Sequence, residues 1–314
     1  MKLRYLLYSS FSLAYLTGYS QVWDKEQLEV VHKAQVLRVM RSDVLFEDGW
    51  TSLPQAKFWK KIMQLSPDSS VVNVAKNRQE LLCISTKTWQ LKSQEAKNIF
   101  KDSLRAEYGL NAAEEIYVTP GKSDFYQFGK VFNQLGRGIE QFEKQGVDPW
   151  YAQAILLIES PGQLKKSVSG AYGPFQLMPD VARKWGLRVD ASRDDRSDFD
   201  KSAYAAAKMM RAFYIPEARK ILNAHGISYN ETDLWFRLYV MHIYHAGPGN
   251  VSAVTKKIQP REGSMELIKQ MWINTAAGFG NSSQNYSQLA IAAQWILHEY
   301  VYTSCEDIFE CASR

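Results

Sequence analysis

The chain has 314 residues and a mass of 36.0 kDa, enough for one large domain or two modest ones. Its composition, 46% hydrophobic and 23% charged with only 10 Pro and 18 Gly, excludes disordered and collagen-like proteins. The 38 basic and 33 acidic residues give a net charge of +5. This excess suits an anionic polymer but is far below that of a nucleic-acid-binding protein, so no nucleic-acid partner is expected.

The amino-terminal 20 residues have the layout of a secretory signal peptide. Lys2 and Arg4 precede an apolar stretch at 5–16, and the small residues Gly18 and Ser20 follow it. The alternative is a first helix of the folded domain, because Tyr and Ser dilute the apolar stretch. No later run reaches the ~18 apolar residues that a membrane span needs. We therefore predict an exported protein, periplasmic or secreted, without a membrane span.

The first half is predicted to be mainly helical. Apolar spacing predicts helices at 24–40, 54–65, 77–108 and 125–142. The short runs VVNV at 71–74 and EIYV at 115–118 are β-prone, but each is equally compatible with an extended link, so no sheet is assigned to them. Nothing in this half groups residues in a way that indicates a reaction.

A single carboxyl group follows the most apolar helix that the sequence predicts. Asp148 and Pro149 open this helix, which runs through Ile158 and delivers Glu159 just before a Ser-Pro-Gly stop at 160–162. Apolar neighbours one turn back raise the pKa of a carboxyl group, as a general acid near neutral pH requires. Taken alone, a glutamate at a helix end is more often a solvated residue.

Two further motifs change that balance. SVSGAYGPFQLMP at 167–179 is a loop whose glycines allow close backbone approach to a ligand, and YHAGPGNV at 244–251 follows a strongly apolar helix predicted at 232–244. With Glu159-Ser160, these motifs resemble, in the same order, the soluble-type lytic transglycosylases of the goose-lysozyme-like branch of the lysozyme fold. The resemblance covers about residues 146–300.

The resemblance implies a reaction and a set of site residues. Glu159 matches the family's catalytic acid, which protonates the bond between N-acetylmuramic acid and N-acetylglucosamine and then accepts a proton from the muramoyl C6 hydroxyl, giving a 1,6-anhydro product. Ser167, Gln176, Tyr244 and Tyr286 match residues that bind the sugar strand. Their structural alternatives are a loop cap for Ser167, a buried amide for Gln176 and core packing for Tyr244.

The sequence also departs from the family pattern. Residues 161–166 form a loop that is one residue shorter than usual, and His245 stands where the family commonly has Asn. A histidine there could respond to pH, although a histidine packed in the core is the more common interpretation. His242 and His245 lie three apart, but no third metal ligand is indicated. Tyr172, Phe175 and Trp185 are candidates for stacking on sugars, with packing as their default role.

The second carboxylate distinguishes glycan-cleaving mechanisms, because hydrolases usually use two. The acids nearest in sequence, Asp180, Asp190, Asp194 and Asp195, lie in a polar stretch and are read as surface groups. Since one of them could still fold back opposite Glu159, a goose-type muramidase that hydrolyses the same bond stays open. A non-catalytic wall-binding protein of the same fold is the third alternative.

The sequence thus predicts an all-α protein: a lysozyme-like helical catalytic domain at 146–303 after a mainly helical region at 21–145, with a signal peptide at 1–20 and a tail at 304–314. Further helices are expected at 202–214 and 288–302. Peptidoglycan glycan strands are the expected partner, and no cofactor or metal is expected. Because the chain has only three cysteines, Cys83, Cys305 and Cys311, at most one disulfide is predicted. Cys305 and Cys311 are the nearest pair in sequence.

Overall fold

The computed structural model describes residues 23, 25–159 and 166–310, so the predicted signal peptide lies outside the described residues. Within them, the strands are β1 (Gln27–His32), β2 (Gln35–Met40), β3 (Ser69–Val74), β4 (Glu80–Ser85), β5 (Ile116–Pro120) and β6 (Asp307–Glu310). The helices of the first half are α1 (Val44–Glu47), α2 (Pro54–Gln64), α3 (Thr86–Gln90), α4 (Gln94–Glu107) and α5 (Phe128–Lys144). Those of the second half are α6 (Trp150–Glu159), α7 (Pro179–Lys184), α8 (Phe199–Met209), α9 (Ile215–Ala224), α10 (Leu234–Ala246), α11 (Pro248–Ile258), α12 (Met265–Ile273) and α13 (Asn281–Ser304).

The all-α prediction is wrong, because the chain contains two antiparallel three-stranded sheets. The first has the order β2-β1-β6, and it replaces the helix predicted at 24–40 by a hairpin. Lys33 and Ala34 turn this hairpin with φ of 49° and 60°. Leu28 and Val30 are buried in alternation, so β-branched residues with period-2 burial overrode the helical spacing. Part of the predicted tail, β6, completes this sheet beside β1.

The second sheet has the order β4-β3-β5 and contains both β-prone runs. Val72 of β3 pairs with Leu82 of β4 and with Val118 of β5. The single helix predicted at 77–108 is instead β4 followed by α3 and α4. Leu104 of α4 packs on Val72 and Ile116, and this packing gives the short strands the buried face that a stable sheet needs.

The other predicted helices are confirmed. They correspond to α2, α5, α6, α10 and α13, and the one predicted at 202–214 is α8 continued by a π-helical turn at Met210–Tyr214. None of the helices in the described part of the chain is both long and apolar enough to cross a membrane.

One hydrophobic core joins the two halves of the molecule. Leu28 and Phe58 from the first half belong to the same buried cluster as Ile155 of α6. Gln153, fully buried on α6, accepts from the Met40 backbone N–H at 2.8 Å and donates to the Met40 carbonyl at 3.0 Å. The helix that ends in Glu159 is thus held directly by the first sheet.

Candidate active site

A cleft of about 630 Å³ opens at the carboxyl end of α6. We call it the Glu159 cleft. Its volume lies within the range of small-molecule sites. It is lined by Trp59, Lys122, Tyr126, Ile158, Glu159, Ser167, Ser169, Ala171, Gln176, Leu177, Met178, Val181, Met209, Tyr214, Tyr244, His245, Asn281, Ser282, Asn285, Tyr286 and Leu289. All five site residues that the sequence suggested, Glu159, Ser167, Gln176, Tyr244 and Tyr286, are therefore brought together.

The helix before the glutamate is fixed at its start and along its side. Asp148 accepts from the Trp150 backbone N–H at 2.9 Å and from Arg237 Nε at 2.7 Å. Residues 150–158 are all buried. Gly138 of α5 allows close packing, because a Cβ there would meet Leu156 Cδ1 at 2.7 Å. Glu159 is consequently delivered to the cleft by a helix with little freedom to move.

The Glu159 carboxyl group is surrounded mainly by protein, while the residue as a whole is partly exposed toward the cleft. Burial raises its pKa above the ordinary value, and the hydroxyl of Tyr286, which donates to Oε1 at 2.6 Å, acts in the opposite direction. The phenols of Tyr126 and Tyr244 also lie near it, and burial raises the pKa of both. This environment favours a protonated carboxyl group over a charged one.

The loop at 166–178 forms the facing side of the cleft. Tyr172 and Leu177 exchange two backbone hydrogen bonds at 3.1 Å, which closes a tight turn. Gly173, at φ +87°, lies so close to Arg196 that a Cβ would meet the Arg196 carbonyl oxygen at 1.8 Å. Gln176 has a positive φ of 44°, a strained conformation that orients its side chain along the cleft.

Ser167, Gln176 and Tyr244 also make structural contacts. Ser167 Oγ accepts from the Ala171 backbone N–H at 2.9 Å, Gln176 Nε2 donates to the Gly173 carbonyl at 3.0 Å, and Tyr244 Oη donates to the Phe175 carbonyl at 2.5 Å. The loop cap expected for Ser167 and the packing expected for Tyr244 are thus present together with positions in the cleft lining, whereas Gln176 is half-buried rather than a buried amide. All three side chains contact the loop as well as line the cleft.

Among the described residues that line the Glu159 cleft, Glu159 is the only carboxylate. The reading of all four aspartates as surface groups is wrong for Asp195, which is buried and pairs with Arg193 and Lys201. Asp194 pairs with Arg196 at 2.7 Å, and Arg196 Nη1 donates to the Leu177 carbonyl at 2.9 Å. These acids support the loop from outside the cleft.

The two histidines are packed rather than arranged for metal binding. His245 stacks on Tyr286 with ring centroids 4.4 Å apart, and burial lowers its pKa. His242 is fully buried with Nε2 2.9 Å from Ser287 Oγ, and burial lowers its pKa to about 3. No group of three metal-ligating side chains occurs within the described ranges. His245 is therefore neutral at physiological pH.

The three aromatic residues proposed for sugar stacking differ in exposure. Phe175 is wholly buried against Phe142, so the suggestion that Phe175 stacks on a sugar ring is wrong. Tyr172 is half-buried beneath the Arg196 guanidinium, and Trp185 is half-buried against the core. Neither Tyr172 nor Trp185 lines the Glu159 cleft, so the aromatic residues suggested for sugar stacking do not form the wall of this cleft.

Sequence reasoning missed the contribution of the first half. Trp59 of α2, Lys122 and Tyr126 form a second wall of the cleft, although nothing in their local sequence indicates chemistry. Lys122 lies in a turn cluster at 119–124 whose backbone bonds to α2 and the second sheet, including the Lys122 N–H to the Ile62 carbonyl at 2.8 Å. Only the tertiary fold brings these three residues to the cleft.

Part of the chain that forms this cleft matches a known protein family. Residues 138–266 match the model of the transglycosylase SLT domain family. The chain contains an SLT domain. The match includes Glu159, Ser167, Gln176 and Tyr244, whereas Tyr286 and the wall from the first half lie beyond it. No curated protein matches the chain. Residues 161–165 of the shortened loop lie outside the described residues, as does Cys311 of the predicted cysteine pair.

The SLT match supports a lytic transglycosylase-type enzyme acting on peptidoglycan and bears out the resemblance to soluble lytic transglycosylases in this region. The helical body around α6 and α10 is compatible with the lysozyme-like fold implied by that resemblance.

Proposed function

We propose that the protein is a peptidoglycan lytic transglycosylase that cleaves the β-1,4 bond between N-acetylmuramic acid and N-acetylglucosamine and leaves a 1,6-anhydro-muramoyl end. The observation that carries the proposal is the lone Glu159 among the described residues of the cleft lining. Hydrolases usually place a second carboxylate about 5 to 9.5 Å from the acid. A transglycosylase needs one, because its substrate supplies the nucleophile.

In this mechanism Glu159 acts first as acid and then as base. The protonated carboxyl group, favoured by burial, gives its proton to the glycosidic oxygen as that bond breaks. The resulting carboxylate then accepts the proton of the muramoyl C6 hydroxyl while the C6 oxygen bonds to C1. The Tyr286 hydroxyl, 2.6 Å from Oε1, stabilises the carboxylate between the two steps.

The other cleft residues are proposed to hold the glycan strand. Gln176 presents its amide from a strained turn, and Ser167 and Tyr244 face the same space while fixing that turn. Their role is to place the C6 hydroxyl near C1, since an intramolecular attack depends on orientation.

Product analysis tests this function. Purified protein is incubated with cell-wall peptidoglycan, and the released fragments are treated with borohydride and weighed by mass spectrometry. Anhydro-muramoyl ends, which resist reduction and are one water lighter, support the proposal. Reducible muramoyl ends indicate a goose-type muramidase. Binding to the wall without any released fragment indicates a wall-binding protein that does not turn over.

We also propose that the protein acts outside the cytoplasm, periplasmic or secreted, with residues 1–20 removed on export. The support is the wall substrate that the SLT domain implies, together with the signal-like amino end. The mass of the protein recovered from outside the cytoplasm tests this, because retention of all 20 residues would contradict it.

A further inference from the structure

A second cleft of about 490 Å³ adjoins the Glu159 cleft on the side of the second sheet. We call it the basic cleft. It is lined by Trp59, Arg78, Trp89, Lys101, Tyr117, Val118, Thr119, Pro120, Lys122, Asn281 and Asn285. Trp59, Lys122, Asn281 and Asn285 line both clefts, so the two adjoin along these residues. The entire lining lies outside residues 138–266 of the family match.

The charge of the basic cleft has a single sign. Arg78, Lys101 and Lys122 contribute three cations, and the described lining contains no aspartate or glutamate. Within the described part of the chain, no carboxylate lies within 4.0 Å of any of these three cations. Other surface cations of the molecule, such as Lys61 with Glu80 and Arg188 with Asp190, have such a partner.

Burial makes this arrangement costly without an anion. Arg78 is 4% exposed, and its guanidinium donates to three amide oxygens, at 2.7 Å from Asn285 Oδ1, 2.9 Å from Asn281 Oδ1 and 3.2 Å from Asn73 Oδ1, rather than to a carboxylate. Desolvation lowers the pKa of both Arg78 and Lys122. Asp124 partly offsets the effect on Lys122. An anion bound between the cations would offset the desolvation of Arg78 and Lys122, because a nearby opposite charge favours their charged forms.

Aromatic rings complete the cleft. Trp59, Trp89 and Tyr117 lie beside the cations, with the Arg78 guanidinium 5.4 Å from the Tyr117 ring centroid and Lys122 Nζ 5.8 Å from that of Trp59. Flat apolar rings beside fixed positive charge suit a ligand with both apolar side chains and carboxylates. A short peptide has this chemistry, whereas a plain sugar strand does not.

We propose that the basic cleft binds the peptide branch of peptidoglycan through its free carboxylates, with Lys101 and Lys122 as the binding groups. The identity of the ligand rests on the proposed function. A muramoyl unit in the Glu159 cleft carries its peptide branch on the same strand, and the residues shared by the two clefts place the basic cleft within reach of that branch. Peptide recognition then comes from the first half of the chain, and bond cleavage from the SLT domain.

Binding to a cleavage-deficient protein tests this proposal. The probes are soluble, uncross-linked glycan fragments with peptide branches, the same fragments after amidase has removed the peptides and left one lactyl carboxylate on each muramoyl unit, and the peptide-bearing fragments with the branch carboxylates amidated. The protein is the full chain with Glu159→Gln, measured by calorimetry. We expect the peptide-bearing fragment to bind at least 10-fold more tightly than the other two. Equal binding of amidated and free-acid fragments would overturn the proposal.

Variants assign the preference to the cleft. In the Glu159→Gln background, Lys101→Gln with Lys122→Gln should reduce the preference to within 2-fold, whereas Lys256→Gln, at an exposed lysine of α11, should retain it. An unchanged preference in the double variant would refute the role of the basic cleft. Thermal unfolding of each variant, and the single Lys101→Gln variant, distinguish lost binding from lost folding.

Failure of this proposal and failure of the proposed function give different results. If the wild-type protein binds branches in the basic cleft but releases no fragments, the function is wrong and the branch site stands. If it releases anhydro fragments equally well from peptide-bearing and peptide-free strands, and binds both equally, the function stands and the branch site is wrong.

Discussion

The two walls of the Glu159 cleft differ in chemistry and in origin. The wall from the SLT domain carries a buried acid, an amide and phenols, and its named residues Glu159, Gln176 and Tyr244 sit on α6, the loop at 166–178 and α10. The wall from the first half carries Trp59 and Lys122 and continues into the basic cleft. One wall is suited to proton transfer and the other to holding an anion.

The difference in charge between the two walls has a physical reason. A cation beside Glu159 would favour its carboxylate and oppose its use as an acid. The causes of its pKa shift are burial and the Tyr286 hydrogen bond, and no lysine or arginine is among them. Lys122 lines the Glu159 cleft as well as the basic cleft, yet it is not among the causes of the Glu159 pKa shift, so the proposed anion site and the proposed acid are compatible. Four variants test this division between the walls.

The largest effect is expected from Glu159→Gln, which removes the transferable proton. General acid–base catalysis contributes about 10² to 10⁴-fold, so we expect a loss of fragment release near the upper end of that range. The initial rate of release from purified peptidoglycan measures it. Retention of more than a tenth of the wild-type rate would remove Glu159 from catalysis. Because glutamine is nearly isosteric, the variant should stay folded, and unfolding by urea is the control.

Arg78→Gln tests how the wall of the first half is attached. The change leaves the Asn281 and Asn285 carbonyl oxygens without their shared donor, which costs about 1 to 3 kcal/mol of unfolding free energy. Urea unfolding measures this. The matched control is Arg188→Gln, whose exposed pair with Asp190 should contribute much less to the unfolding free energy. Equal effects of the two substitutions would show that Arg78 does not join the halves.

Tyr286→Phe tests the proton-transfer wall. The hydroxyl stabilises the Glu159 carboxylate, so its loss should raise the pKa of Glu159 further and lower the rate about 10-fold. The protonated acid is the active form, so activity falls as pH rises through this pKa, and the descending limb of kcat/KM should move to higher pH. Tyr239→Phe, which removes a buried hydroxyl near Thr255, should leave the limb in place. Movement to lower pH would contradict the assignment.

The smallest effect on pH dependence is expected from His245→Asn. Burial lowers the pKa of His245, so the ring is already neutral at physiological pH. The limbs of the pH profile should therefore keep their positions, whatever happens to the rate when the stacking on Tyr286 at 4.4 Å is lost. A limb near pH 6 that disappears in the variant would show that His245 titrates during turnover.

The helices with strong apolar spacing could be predicted because their pattern is local. α2, α5 and α10 lie close to their expected positions. Glu159 was singled out from the apolar helix that ends on it together with the two motifs that follow it. The sheets were missed because β1 and β3 are short, and each sheet is completed by a segment farther along the chain. β1 pairs with residues 307–310, and β3 is packed under Leu104.

Local sequence determined that a carboxyl group would follow an apolar helix and that a glycine-rich loop would come next along the chain, since both depend on neighbours a few residues away. Only the tertiary structure decided that Trp59 and Lys122 form the opposite wall, that Asp195 is buried outside the cleft, and that Phe175 belongs to the core. These outcomes depend on contacts between segments distant in sequence, and such contacts are fixed by the packing of the whole molecule.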